Sequence, residues 1–161
     1  MTIRILTGPV RSRKTTTLMH WVHECHDCGG ILTPDIEGLR HLYNVKTGTT
    51  IAWQKPVSDA PDDVLVGRFV FDSTAFDQAV GWLDDHLKDS PIKCMILDEV
   101  GPLELSGKGW DTWLRKALAN PSEKEFILVV REGLVDKVVD HYELTEYEVV
   151  EKGHFMNRST K

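Results

Sequence analysis

Length, composition and charge narrow the class of protein before any motif is considered. The chain has 161 residues, of which 41% are hydrophobic and 27% charged, as expected for one globular domain with a full-sized core. Its formal net charge of −6 argues against non-specific binding to nucleic acid, which needs a basic surface. No apolar run approaches the roughly 20 residues of a transmembrane helix, so no membrane partner is expected. Three cysteines without a signal-peptide layout favour a cytoplasmic, reducing location over a disulfide framework.

The first third of the chain predicts a buried strand, a glycine loop, a helix and a meander. The strand covers residues 3–7, and apolar residues at helical spacing extend the helix from Lys14 to about residue 26. Gly29 and Gly30 are expected to end that helix. Three short antiparallel strands are then expected at residues 31–34, 40–46 and 49–54. The turns between them are expected at residues 37–38 and 47–48. This gives an antiparallel insert over about residues 29–54.

The rest of the chain alternates strands with helices. A surface loop is expected at residues 55–66. The predicted strands are residues 67–71, 93–97, 126–130 and 147–150, and the predicted helices are residues 76–87, 110–118 (closed by Asn120 and Pro121) and 132–140. Such alternation predicts an α/β fold with a mainly parallel sheet covered on both faces. We expect residues 1–161 to form a single domain.

The loop after the first strand has the layout of a phosphate-binding loop. In the pattern G-x-x-x-x-G-K-[ST], Gly8, Lys14 and Thr15 fall in register, while Arg13 takes the place of the second glycine. Backbone N–H groups at a helix start form a cradle for phosphates. Lys14 would reach the terminal phosphates, and the Thr15 hydroxyl would bind Mg²⁺.

A pair of acids at residues 98–99 supports nucleotide chemistry. Asp98 and Glu99 follow an apolar strand, and ligands bind at the carboxyl ends of strands in open parallel sheets. We expect Asp98 to hold Mg²⁺, through water, and Glu99 to orient or deprotonate the attacking water. A strand ending in ordinary solvated acids is the alternative interpretation.

Four blocks of sequence resemble the THEP1-type P-loop nucleoside-triphosphatase family. They are residues 7–16, residues 29–36 with the following 44–48, residues 67–76, and residues 98–105, where Asp-Glu-Val-Gly-Pro-Leu-Glu-Leu is similar to the family signature Asp-Glu-Ile-Gly-x-Met-Glu-Leu. Asn157 and Arg158 resemble an Asn-Arg pair near the family's C-terminus.

The resemblance implies a P-loop NTPase fold and Mg²⁺-dependent hydrolysis of nucleoside triphosphates to diphosphates, with broad base tolerance and ATP or GTP as the expected partner. It assigns the metal to Thr15 and Asp98 and catalysis to Lys14 and Glu99. The phosphate-binding residues that it implies are Gly8, Pro9, Val10, Arg11, Ser12, Arg13, Lys14, Thr15 and Thr16.

Several positions keep two interpretations open. Arg13 would cost about 1–2 kcal/mol if the loop needs a left-handed residue there, so a non-catalytic nucleotide-binding or regulatory module is the alternative function. Glu104 either positions water or a neighbouring group, or is a solvent-facing acid at a helix start. Arg131 either reaches the phosphates or is a surface arginine. Cys25 and Cys28 have metal-like spacing without a second pair, and Cys25 is expected in the core.

Overall fold

The computed structural model describes residues 1–120 and 122–156. The strands are β1 (Thr2–Leu6), β2 (Cys28–Leu32), β3 (Asp35–Ile36), β4 (Leu39–Asn44), β5 (Thr50–Ala52), β6 (Gln54–Lys55), β7 (Val64–Val66), β8 (Phe69–Phe71), β9 (Cys94–Val100), β10 (Glu125–Val130) and β11 (Glu148–Val150). The helices are α1 (Lys14–His23), α2 (Ser73–Lys88), α3 (Pro102–Leu105), α4 (Asp111–Ala119), α5 (Val135–His141) and α6 (Gly153–Met156).

The main sheet has the strand order β11-β1-β10-β9-β2-β4-β3, and β5 pairs with β4. The five strands from β11 to β2 are parallel, while β4 adds antiparallel pairing to β2, β3 and β5. Because β10 lies between β1 and β9, roughly 10 Å separates the strand before the glycine loop from the strand that carries Asp98. The predicted α/β class with a mainly parallel sheet is confirmed.

Apolar residues cover both faces of the parallel strands, as the strands' continuous hydrophobic runs require. Leu18 and Val22 of α1 pack on one face together with Phe155 of α6. Leu83 of α2 and Leu114 of α4 pack on the opposite face. The helices therefore hold the sheet rigidly from both sides and leave its edge at the carboxyl ends of the strands for the loops.

The glycine pair at residues 29–30 has a different role from the predicted one. Helix α1 already ends at His23, and both glycines lie inside β2. Gly30 has φ +110°, and a Cβ there would come within 1.9 Å of the Ile96 carbonyl oxygen. Its N–H donates to His86 Nδ1 at 2.9 Å, and burial lowers the pKa of His86. Gly30 permits close approach of β2 to β9, and Gly29 makes room for the side chains of His86 and Ile92, which periodicity alone does not reveal.

The predicted antiparallel meander is present, since β2 pairs with β4 and β4 pairs with β5, both in antiparallel orientation. β2 pairs in parallel with β9, so the antiparallel extension starts from its other side with β4. The turn at residues 37–38 is present, with positive φ at Glu37 and Gly38. The predicted loop at residues 55–66 contributes Lys55 and β7 to a second sheet, β6-β8-β7. Short strands with few apolar residues give too weak a period to be recognised there.

The cysteines also depart from expectation. A disulfide joins Cys25 to Cys28, whose Cα atoms lie 5.7 Å apart, within the usual range for such bonds. Cys25 lies beyond the end of α1 and is half-buried, whereas Cys28 is buried at the start of β2. The third cysteine, Cys94, is buried in β9. The tight connection between helix and strand brings the pair together.

Two further findings concern the helices. Neither α3 nor α6 was predicted, since four residues are too few to display a helical period. Helix α4 ends at Ala119 with Asn120 after it, while Pro121 lies outside the described residues. Over residues 1–120 and 122–156, none of the helices combines the length and the apolar composition needed to cross a bilayer.

Candidate nucleotide site

The loop between β1 and α1 turns in a left-handed conformation at the position where the pattern has glycine. Arg13 has φ 62° and ψ 36° and immediately precedes α1, while Arg11 has φ 60°. The Arg13 carbonyl accepts from Thr17 N–H at 2.9 Å, so the helix begins normally behind it. Arginine thus occupies the conformation that favours glycine, at a cost of about 1–2 kcal/mol, and its exposed side chain leaves the loop interior open.

The Lys14 ammonium lies inside this loop. Its Nζ donates to the Gly8 carbonyl at 3.2 Å, the Pro9 carbonyl at 2.9 Å and Ser12 Oγ at 3.2 Å. Lys152, just before α6, donates from Nζ to the Ser12 carbonyl at 2.8 Å and fixes the loop from outside. The positive charge of Lys14 is thus held by oxygen atoms of the loop itself. The Lys152 contact joins residues 140 positions apart, so no local motif indicates it.

Asp98 lies almost fully buried at the carboxyl end of β9. Its Oδ2 accepts from Thr15 Oγ1 at 2.8 Å, from Thr33 N–H at 3.1 Å and from Thr33 Oγ1 at 3.2 Å. Its Oδ1 is buried and has no hydrogen-bond partner among the described residues. The Thr15 hydroxyl and the Asp98 carboxylate, one of whose two oxygens has no partner in the described part of the chain, are hard oxygen donors of the kind that Mg²⁺ prefers, so the residues present fit this ion.

Thr33 is a member of this cluster that sequence reasoning missed. It follows β2, which lies next to β9, and its side chain is buried. Once the strand order is known, a polar residue immediately after the parallel strand next to β9 is a candidate member of the site. The sequence shows only a threonine before Pro34, and its prediction of a meander gave β2 the neighbour β4 but not the second neighbour, β9.

Glu99 follows Asp98 in a strained backbone conformation, with φ 61°. Its carboxylate forms an ion pair with the Arg40 guanidinium of β4. Partial burial and, secondarily, the adjacent Asp98 raise the pKa of Glu99, while Arg40 and then Arg131 act against this rise. Non-glycine residues held at positive φ are concentrated at functional sites, where the surrounding structure enforces them.

The backbone of Arg40 is anchored on both sides, which fixes the base of its side chain. Its N–H donates to Gln54 Oε1 at 3.1 Å, and its carbonyl accepts from Trp53 N–H at 3.3 Å. Sequence reasoning did not single out Arg40, because pairing between β4 and its neighbours is needed to bring it to Glu99. Arg131 is exposed after β10, and its charge acts on Glu99.

Glu104 is buried, so the interpretation of this residue as a solvent-facing acid at a helix start is wrong. It is 2% exposed, and its Oε2 accepts from Gly101 N–H at 2.8 Å while Oε1 accepts from Trp110 N–H at 3.2 Å. Burial is the main reason that the pKa of Glu104 is raised. The side chain therefore positions neighbouring backbone, at the start of α3 and at the turn before α4.

The remaining predicted site residues lie around the loop at different exposures. Pro9, Val10, Arg11 and Thr16 are exposed or partly exposed, and Gly8 follows Thr7 at the end of β1. A Cβ at Gly8 would contact Ser12 Oγ at 3.3 Å. The structure thus brings the loop, Asp98 and Glu99 to one edge of the sheet. Asn157 and Arg158 lie outside the described residues.

An apolar cavity of about 170 Å³ lies between residues of the second sheet, α2 and α3. Its aromatic wall consists of Trp53, Phe71 and Phe76. Leu103 of α3, the helix that follows β9 in sequence, also lines it. Lys108 supplies its one charged lining residue. The aromatic residues also pack among themselves, with ring centroids of Trp53 and Phe71 4.4 Å apart.

The glycine loop follows β1, and Asp98 lies in β9, with β10 between these two strands. This arrangement defines a P-loop nucleoside-triphosphatase type of protein. The model of the NTPase family matches residues 4–158, and the chain belongs to this family of nucleoside-triphosphate-hydrolysing proteins. The predicted resemblance is therefore confirmed.

Two solved structures are similar to this chain. A human cancer-related nucleoside triphosphatase has a TM-score of 0.68 at 19% identity, covering 100% of both chains. THEP1 from the hyperthermophile Aquifex aeolicus has a TM-score of 0.67 at 16% identity, covering 94% of this chain and 89% of its own. At these identities the likeness concerns the fold. No protein with a curated description matches the chain by sequence.

Proposed function

We propose that the chain hydrolyses nucleoside triphosphates to diphosphate and phosphate in a Mg²⁺-dependent reaction. The observation that carries this proposal is the convergence of Lys14, Thr15, Asp98 and Glu99 at one edge of the sheet. In this arrangement the loop N–H groups bind the phosphate chain, and Lys14 exchanges its carbonyl partners for oxygens of the terminal phosphates. Family membership supports hydrolysis in general terms.

Thr15 and Asp98 would hold Mg²⁺, which neutralises charge on the phosphates when bound. The orphaned Asp98 Oδ1 supports this assignment, because a buried carboxylate oxygen without a partner is costly. Thr33 keeps the carboxylate oriented through its two hydrogen bonds to Oδ2. These residues position the nucleotide and take no proton.

Glu99 is the residue that we assign to the attacking water. Its carboxylate, ionised and paired with Arg40, orients the water or accepts its proton. Arg40 holds the carboxylate in place and, once nucleotide is bound, supplies positive charge close to the reacting phosphate. Arg131 adds to the positive field around Glu99.

Base tolerance is also part of the proposal. The chain has no Asn/Thr-Lys-x-Asp motif of the kind that selects guanine, and the roles proposed for the site residues concern phosphate and metal rather than a base. We therefore expect ATP, GTP, CTP and UTP all to be substrates. Phosphate release from each of the four, measured with Mg²⁺ and with EDTA, tests this function.

Lys14→Ala and Asp98→Asn should abolish this release, and Glu123→Gln is the matched control. Glu123 is exposed before β10, at the opposite end of the strands from the site. Absence of release by the wild-type protein with all four nucleotides would contradict the proposal. Tight nucleotide binding without turnover would instead favour a non-catalytic nucleotide-binding module. The observation that supports this alternative is the strained backbone conformation of Arg13.

A second candidate is transfer of the phosphoryl group to a small acceptor. The cavity lined by Trp53 and Phe71 favours it, because the cavity adjoins α3 directly after the strand that carries Glu99. The same assay separates the two functions. Hydrolysis forms diphosphate and free phosphate in equal amounts without an acceptor, whereas transfer forms diphosphate only when an acceptor is added and leaves the phosphoryl group on that acceptor, so nucleoside diphosphate is measured beside phosphate.

A further inference from the structure

The connection between α1 and β2 gathers three metal-binding side chains away from the nucleotide site. Sγ of Cys25, a carboxylate oxygen of Asp27 and Sγ of Cys28 all lie within 4.8 Å of one another. Asp27 Oδ1 is 3.4 Å from Cys25 Sγ. Cys28 is the first residue of β2, whereas Thr33 of the nucleotide site follows its last residue, so the two sites lie at opposite ends of this strand.

Backbone hydrogen bonds hold these donors in their arrangement. Cys25 N–H donates to the Val22 carbonyl at 3.2 Å, which fixes the chain as it leaves α1. The Asp27 carbonyl accepts from Lys93 N–H at 2.8 Å and from Cys94 N–H at 3.1 Å, which ties the turn to β9. Cys28 pairs in register with Cys94. The fold therefore fixes the backbone of this connection, while the disulfide sets the spacing of the two Sγ atoms in the oxidised form.

We propose that Cys25, Asp27 and Cys28, with both cysteines reduced, form a binding site for a thiophilic divalent metal ion such as Zn²⁺. Zn²⁺ binds cysteine thiolates, at metal–sulfur distances of about 2.3 Å, and aspartate carboxylates, and with three protein ligands water fills the fourth position. Asp27 is exposed and Cys25 is half-buried, so an ion and a reductant can both reach the site from solvent.

The interconversion of the two forms balances with a cellular dithiol as reductant. The Cys25–Cys28 disulfide takes up two electrons and two protons, its S–S bond breaks, and the dithiol becomes a disulfide. Binding of the metal ion then displaces the two thiol protons to solvent and forms two metal–sulfur bonds. The oxidised form lacks thiolates and has no site for the ion.

The test uses the full chain, reduced with a phosphine and titrated with Co²⁺ as a spectroscopic probe. We expect a sulfur-to-cobalt charge-transfer absorption that saturates at one equivalent and disappears when Zn²⁺ is added. The protein with its disulfide intact should show no such absorption. Absence of the absorption in the reduced wild-type protein would overturn the proposal, whatever the result of the phosphate-release assay.

Variants separate this site from adventitious binding. Cys25→Ser and Asp27→Asn should each weaken Zn²⁺ binding by at least about tenfold. The controls are Cys94→Ser, which removes a thiol outside the proposed ligands, and His20→Ala, which removes an exposed imidazole on α1. Both should keep the wild-type affinity. Unchanged affinity in Cys25→Ser, or a site lost on removing His20, His23 and His26 alone, would overturn the proposal.

Thermal unfolding gives a second measurement that does not depend on the probe. Zn²⁺ should raise the melting temperature of the reduced wild-type protein and of Cys94→Ser, because an ion bound only by the folded state stabilises it. It should not raise the melting temperature of Cys25→Ser. Cys25 is half-buried, so this variant is expected to fold even if replacement of the buried Cys28 prevents folding. An equal increase in Cys25→Ser would contradict the assignment.

Discussion

Arg40 of β4 forms an ion pair with Glu99 at the end of β9, although 59 positions separate them in sequence. The pair joins the antiparallel extension of the sheet to the parallel strands that carry the nucleotide site. Both side chains remain more than a third exposed, so the pair adds little to stability. Its consequence is the orientation of the Glu99 carboxylate.

Replacing Arg40 should therefore affect turnover more than folding. We expect Arg40→Ala to lower kcat roughly 10- to 100-fold, because one positioned charge near the reacting phosphate is lost. KM and the melting temperature should change little. Steady-state kinetics on ATP test this, with Arg68→Ala as control, since the Arg68 guanidinium lies over the Phe69 ring instead of pairing with Glu99. An increase in KM at constant kcat would show that Arg40 serves nucleotide binding instead.

Thr33 should matter for the stability of the site. Thr33→Val removes the hydroxyl that donates to Asp98 Oδ2, and we expect it to lower the free energy of unfolding by about 1 kcal/mol. Thr33→Ser keeps the hydroxyl and should lose less. Urea unfolding of the three proteins measures the difference. Equal stability of Thr33→Val and wild type would mean that the hydroxyl contributes nothing.

Arg13 offers a test of backbone strain in the loop. Arg13→Gly should relieve a left-handed conformation that costs about 1–2 kcal/mol, but it also increases the entropy of the unfolded chain by about 0.4–1 kcal/mol. A small net gain in stability is expected, together with nucleotide binding that is as tight or tighter. Calorimetric titration and urea unfolding measure both. Weaker nucleotide binding by Arg13→Gly would show that the guanidinium takes part in binding.

Glu104 should make stability depend on pH. Because burial raises its folded-state pKa above the ordinary 4.5, the folded state binds the proton more tightly than the unfolded chain. Its contribution to the free energy of unfolding is complete below the unfolded pKa and decreases as pH rises through the raised folded value.

Glu104→Gln should remove that slope. It should also lower stability by about 1–3 kcal/mol, since the amide accepts through only one oxygen and leaves the Gly101 or the Trp110 N–H unpaired. Urea unfolding over the acidic range provides the comparison. If the free energy of unfolding of Glu104→Gln depended on pH as that of the wild type does, the pH dependence would belong to other groups.

The sequence predicted the parts of the site that local motifs encode. Gly8, Lys14 and Thr15 follow a spacing that reflects phosphate geometry, and Asp98 with Glu99 ends an apolar run, so both appear without knowledge of the fold. Thr33, Arg40 and Lys152 could not be found this way, because each reaches the site only through strand pairing or contacts distant in sequence.

The fold shows the same division. The continuous apolar run of β10 and the apolar stripe of α2 are clear local signals and were predicted, whereas Gly29 and Gly30 were taken for a helix end. Their actual roles depend on what lies opposite, which is the backbone of β9 for Gly30 and the side chains of His86 and Ile92 for Gly29. The Cys25–Cys28 disulfide depends in the same way on the tight connection after α1.

The most direct test of the account is turnover by Glu99→Gln. The variant should bind Mg²⁺-ATP about as tightly as the wild type, since Lys14, Thr15 and Asp98 are unchanged. Phosphate release in a single turnover should fall by about 10²–10⁴-fold, because the group that orients the water is lost. Glu123→Gln should release phosphate at the wild-type rate. Wild-type release by Glu99→Gln would contradict the account.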